Sequence, residues 1–213
     1  MRDTDCDLRS LVVVRADSPA RSLADLRGRV VATGAVDSPQ ATLLPLSLLR
    51  AAGLRPGGPD DPGADVLVRR FDVGVGLHGD HIGGEREAAR ALFAADPAGR
   101  ADAAAMIDAN LLLFAREGVL PSGSVRVLAQ TPPYDHCTMT AGPAADKEAA
   151  GRFGGLLRGM DYGDADVRPL LDAEGLKEWR PPRLDGYAQL ERAVDEAGFY
   201  DAEGEIIAVG YRP

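Results

Sequence analysis

The stretch Ser22-Leu23-Ala24-Asp25-Leu26-Arg27-Gly28-Arg29-Val30-Val31-Ala32, followed by Val36-Asp37-Ser38-Pro39-Gln40, decides how the chain reads. Residues 21–26 have the polar start and apolar spacing of a short helix, and Gly28 stops it. The β-branched run in 29–33 reads as a buried strand. Ser38 then caps a helix over 39–52, with Pro39 at its first position and Gly53 past its end. A strand that runs into a capped helix start is an anion-binding device. Free backbone N–H groups and the hydroxyl converge there, and the helix dipole adds partial positive charge. Ser38 is therefore the first candidate ligand residue, with Thr33 and Gln40 at the same mouth; the plain alternative for Ser38 is an N-cap.

Outward from this segment, strands and helices alternate. The runs 8–15, 66–71, 101–107 and 124–130 read as strands, and 137–141 as a further short one. Residues 82–95, 109–117, 145–158, 165–173 and 187–197 read as helices. The segment Gly57-Gly58-Pro59-Asp60-Asp61-Pro62-Gly63 is a loop, and so is 74–80. A last apolar run occupies 206–209. This alternation predicts an α/β fold with a mostly parallel sheet.

Composition narrows the function classes. The chain has 213 residues, 45% hydrophobic and 27% charged, which suits a globular protein with one large or two small domains. The net charge of −9 and the absence of a basic, aromatic-laced face argue against nucleic acid. No run approaches the roughly 18 apolar residues of a membrane span. Met1–Asp7 carries acids and no apolar stretch, so as written the chain is expected in the cytoplasm; an N-terminus continued upstream would make it extracytoplasmic. Cys6 and Cys137 could form a single bridge but read more simply as free thiols. No P-loop pattern of a glycine-rich turn ending in Lys-Ser or Lys-Thr is present.

Several stretches in order resemble the phosphonate/phosphate-binding (PhnD-like) branch of ABC-importer solute-binding proteins, with the type II periplasmic-binding-protein fold. They are 10–19 (SLVVVRADSP), 22–28 (SLADLRG), Asp37-Ser38, Gly79-Asp80-His81, 101–104 (ADAA), 126–133 (RVLAQTPP) and 186–190 (GYAQL). The resemblance implies two α/β lobes joined by crossover strands, a complete lobe over 17–130, and a second, incomplete lobe from 1–16 plus 131–213. It departs in two places. The family's opening strand–helix–strand unit has no counterpart before Leu8, and Pro39 and Gln40 stand where a backbone donor and a hydroxyl are usual.

The resemblance also implies roles. His81 and the following helix start would hold the anionic group of a ligand between the lobes, with Gly79, Gly83 and Gly84 allowing close backbone approach. Asp102 would end a strand at the ligand side, Asp108 would cap the helix after it, and Asp108 and Asn110 would contact the ligand directly from that helix start. Tyr134 would form part of the wall. The implied function is binding of a small anionic solute (a phosphonate, phosphate, sulfonate or small carboxylate) with hinge closure and no chemistry, in partnership with an ABC permease. No cofactor is expected. A sheet edge left open by the incomplete lobe would favour association between copies.

One alternative from another class stands beside this. His78 and His81, with Asp80 between and Glu85 after, offer nitrogen and oxygen ligands, and His136 could join them. That would make a zinc or iron enzyme on the same fold. The His-x-x-His spacing lacks the helical context that makes such a pair specific. His136 next to Cys137 also invites a nucleophile reading, but neighbours on a strand point to opposite faces.

Overall fold

The computed structural model describes residues 1–75, 78, 79 and 81–211, and of 74, 75, 78 and 79 the backbone alone. The chain divides into two units, which we describe separately. The larger holds Arg9–Pro132 and Gln189–Pro213, the smaller Met1–Leu8 and Pro133–Ala188.

The larger unit is built on six strands: β1 (Ser10–Arg15), β2 (Val30–Thr33), β3 (Pro56–Gly57), β4 (Val66–Arg70), β7 (Ala103–Ile107) and β8 (Val125–Gln130). A separate two-stranded hairpin, β5 (Gly74–Val75) with β6 (His78–Gly79), lies where the sequence suggests only a loop. The main sheet runs β3-β4-β2-β7-β1-β8. β2 is parallel to β4 and β7, and β3 to β4, whereas β1 lies antiparallel between β7 and β8. Leu11-Val12-Val13-Val14 is thus a fully interior strand, which explains why it is an unbroken apolar run rather than an alternation. Ser10–Arg15, assigned from sequence to the incomplete lobe, is the strand β1 inside this sheet.

Alternate residues of β1 feed two cores. Leu11 and Val13 pack with Ala88, Leu92, Met106 and Phe114 beneath α2 (His81–Ala91) and α3 (Asp108–Arg116). Val12 and Val14 pack with Leu26, Val31, Leu49 and Leu54 beneath α1 (Leu44–Ala51) and the 3₁₀ turn Leu23–Leu26. That turn carries a capping box, with Asp25 Oδ2 accepting from the Ser22 N–H at 2.9 Å. Gly28, at φ +72°, ends it as its position suggests.

The smaller unit contains α4 (Lys147–Arg158), α5 (Arg168–Ala173) and two 3₁₀ turns, and the helix α6 (Ala188–Ala197) begins at its end. Among the described residues it holds no strand, only isolated bridges such as Leu8 with Tyr134. The strand expected at 137–141 is irregular chain. A strand needs a neighbour for its N–H and C=O groups, and this unit offers none there. Cys6 and Cys137 are both free thiols. No described helix is long and apolar enough to cross a membrane.

Candidate functional site

The candidate site lies at the C-terminal ends of β2 and β7. The chain leaves β2 at Thr33, turns at Gly34, and enters a helix at Ser38. The Ser38 side chain accepts from the Ala41 N–H at 3.2 Å, so its oxygen serves as the cap the sequence suggests. The first turn is not an α-turn. Pro39–Leu43 forms a π-turn, with the Leu43 N–H bonded to Ser38 O at 3.0 Å. Pro45 accounts for this widening. It has no N–H for the carbonyl of Ala41, which accepts instead from the Gly34 N–H at 3.2 Å. The helix start is thereby sewn to the strand end.

The start of α2 comes against the same turn. A Cβ on Gly84 would lie 2.5 Å from Phe71 O and 3.4 Å from Gly34 Cα, and one on Gly34 would lie 2.9 Å from Ala41 Cβ. Only glycine lets these backbones meet. His81 Nε2 sits 3.3 Å from Asp37 Oδ1, linking the first residue of α2 to the turn. One helical turn on, Glu85 is wholly buried. Its Oε2 accepts from the Ile107 N–H at 3.0 Å and the Asn110 amide at 2.8 Å, which ties α2 to the end of β7 and the start of α3. Burial pushes the Glu85 carboxyl up to about 7, against the pull of Asn110, the Ile107 N–H and the nearby Gln40 amide.

Thr33 Oγ1, Gln40 Oε1, Thr42 Oγ1, Glu85 Oε1 and Ser10 Oγ are buried with no hydrogen-bond partner among the described residues. Buried polar atoms in folded proteins are nearly always satisfied, so several orphans at one strand edge ask for an explanation. The orphans combine acceptors with hydroxyls that can also donate. Three helix starts, at 39, 81 and 108, belong to the same unit and follow the same edge of the sheet.

Of the residues singled out in the sequence, Thr33, Ser38, Gln40, His81 and Asn110 are brought together here, with Asp108 in the first turn of α3. Asp108 does not cap that helix. The N-cap is Ile107, and Asp108 accepts from the next N–H, of Ala109, at 2.8 Å. Asp102 lies just before β7 rather than at its end, and accepts from the N–H of Val30, the first residue of β2, at 2.9 Å. It therefore belongs to the opposite edge of the parallel strands. Tyr134 belongs to the smaller unit, where it is buried and its backbone pairs with Leu8. The side chain of His78 lies outside the described residues, as does Asp80. Glu85, weighed in the sequence as a metal ligand, is engaged by Ile107 and Asn110, and His136 lies in the smaller unit. Sequence reasoning missed the hydrogen-bonding role of Glu85; the pair Pro39 and Pro45, six residues apart within one helix, was the available signal of an unusual first turn.

A protein named PhnD1 from Prochlorococcus marinus, solved in complex with methylphosphonate, shares the fold at 18% identity and a TM-score of 0.57 over 92% of this chain and 69% of its own. A Xanthomonas citri protein bound to chloride ion matches at 20% identity and a TM-score of 0.65, over 92% and 69%. A binding-protein component of an ABC phosphonate transporter from Pseudomonas aeruginosa matches at 13% identity and a TM-score of 0.56, over 96% and 65%. No curated protein sequence matches the chain. The family described as ABC transporter, phosphonate, periplasmic substrate-binding protein matches residues 2–187. With that match over most of its length and a fold shared with these structures, the chain belongs to the phosphonate periplasmic substrate-binding protein family of ABC transporters.

Proposed function

We propose that the chain binds a small oxyanion, phosphonate- or phosphate-like, at the strand edge lined by Thr33, Ser38, Gln40, His81, Glu85 and Asn110, as the extracytoplasmic component that delivers it to an ABC permease. The observation that carries this reading is the set of buried, unpartnered polar atoms on Thr33, Gln40 and Glu85 beside three helix starts. Helix N-termini favour negative charge, and the hydroxyls supply directed donors. The P. marinus protein in complex with methylphosphonate and the X. citri protein bound to chloride ion each hold a small anion, which supports the same class of ligand here.

Glu85 refines the ligand. A carboxylate and a fully ionised anion repel each other, whereas a protonated carboxyl donates a hydrogen bond. The ligand at this place is an anion that accepts from the protonated Glu85 carboxyl. Binding is then tighter below pH 7 than above it, since the Glu85 proton is lost near that value.

The test is calorimetric titration of the full chain with methylphosphonate, phosphate and sulfate at pH 6 and pH 8. The expected result is one-to-one binding of a phosphorus oxyanion, weaker at pH 8, with the pH difference abolished by Glu85→Gln and affinity reduced at least about tenfold by His81→Ala. Equal heats from all three anions, with no response to either substitution, would sink the reading.

A further inference from the structure

We propose that Asp5, His136 and Cys137, in the smaller unit, form a binding site for one divalent metal ion of the zinc type. One carboxylate oxygen, one imidazole nitrogen and one thiol sulfur lie within 4.8 Å of one another. Cys137 Sγ is 2.9 Å from His136 Nδ1, so the adjacent side chains meet rather than point apart. They do so because 137–141 is irregular chain and not a strand. The separation must open by about half an ångström to suit metal–ligand bonds of about 2.0–2.3 Å in tetrahedral array.

The frame that holds these groups is already built. The His136 N–H donates to Asp5 O at 3.0 Å, joining the two segments through the backbone. The Tyr187 hydroxyl donates to His136 O, fixing the next link. Asp5 is buried, and each of its oxygens is oriented by Arg2, Oδ2 by Nε at 2.6 Å and Oδ1 by Nη2 at 3.1 Å. An outer partner that orients a ligating carboxylate is a usual part of metal sites.

The donor set decides between chemistries. Nitrogen, oxygen and sulfur together suit zinc or cobalt rather than magnesium or calcium. A nucleophilic cysteine is the rival use of a thiol beside an imidazole. The metal reading is preferred because a carboxylate oxygen shares the place with the imidazole and the thiol, all within 4.8 Å, and a nucleophile paired with an imidazole has no use for it. The thiol gives up its proton to solvent, a metal–sulfur bond forms, and no electron changes hands. The Arg2 guanidinium works against a cation here, and the new thiolate charge offsets it. Three protein ligands leave a fourth position for water or an exogenous anion.

The site is independent of the oxyanion reading and is tested separately, by titrating the full chain with zinc alone and with cobalt alone. A chromophoric chelator in competition reports zinc stoichiometry, and the near-ultraviolet spectrum reports any sulfur-to-cobalt charge-transfer band. One zinc per chain and a thiolate band are expected. Cys137→Ser should abolish the band and weaken zinc at least about tenfold. Asp5→Asn should weaken zinc while the band survives, and Cys6→Ser should change neither. Cys137 is exposed, so its serine variant tests the site even where Asp5→Asn fails to fold. A band that persists in Cys137→Ser or vanishes in Cys6→Ser, or no zinc bound, would overturn the proposal.

Discussion

The two units solve the same problem differently. The larger places Val12, Val13, Val31, Met106 and Phe114 at zero exposure on the two faces of a sheet and covers both faces with helices. The smaller buries few apolar side chains (Met1, Tyr134, Leu171 and Leu176), and α4 has no buried residue at all. Polar links hold it instead. Arg183 reaches both Asp135 and Asp7, Arg2 pairs with Asp5, and the chain's amino group donates to Arg180 O at 2.8 Å. Burial of apolar area is the main favourable term in folding, while exposed ion pairs contribute little. The stability of the larger unit should rest on its core, and that of the smaller on a few buried charges.

The largest effect should come from Phe114→Ala. Its ring is wholly buried under the sheet, and truncation should cost about 3–5 kcal/mol in chemical denaturation. A cost below about 1 kcal/mol would mean the sheet core is not what holds the larger unit.

Next in size is a pH effect at Glu85. Its folded value of about 7 lies above the ordinary 4.5, so folding favours the protonated form. Its stabilising contribution is complete below about pH 4.5 and is lost as pH rises through about 7. The shift corresponds to about 3 kcal/mol. Glu85→Gln keeps an acceptor for the Ile107 N–H and carries no charge. The variant should match the parent near pH 4 and exceed it by about 3 kcal/mol at pH 8. Parallel stability curves across that range would show that Glu85 is not the buried charge described.

Arg183→Ala sharpens the comparison from the other side. Asp135 is fully buried, and the Arg183 guanidinium holds its carboxyl below the usual range. Removing that partner should cost about 1–3 kcal/mol, read by hydrogen exchange as lost protection within the smaller unit alone. The Asp135 contribution is present above the ordinary carboxylate range and disappears as pH falls through its lowered value. Protection lost equally in the sheet would merge the two units into one cooperative structure. Least affected should be Leu156→Ser on the exposed face of α4, within about 0.5 kcal/mol by thermal denaturation.

Much of the larger unit was legible because its signals are local. The apolar run 30–32, the Ser38-Pro39 helix start and the Gly28 and Gly53 stops each act within a few residues. The π-turn was not read, although Pro45 marks it, because its consequence depends on Gly34 donating to the carbonyl that Pro45 leaves free. Asp102 was placed at the wrong end of its strand because chain order does not say which edge of a sheet a residue adjoins. His136 and Cys137 were kept apart by a strand rule, and with no partner strand the rule had nothing to act on.

The sequence alone determined the α/β class, the order of β1, β2, β4, β7 and β8 and of the helices between them, the capped helix at Ser38 and the family resemblance. These rest on periodicity, on φ-restricted residues and on motifs a few residues long. The tertiary structure alone decided that β1 lies antiparallel inside a parallel sheet, that Gly84 lets α2 meet the Gly34 turn, and that Glu85 is buried against Asn110. Each of those depends on contacts between segments distant in the chain, where register and dielectric are set by neighbours and not by local propensity.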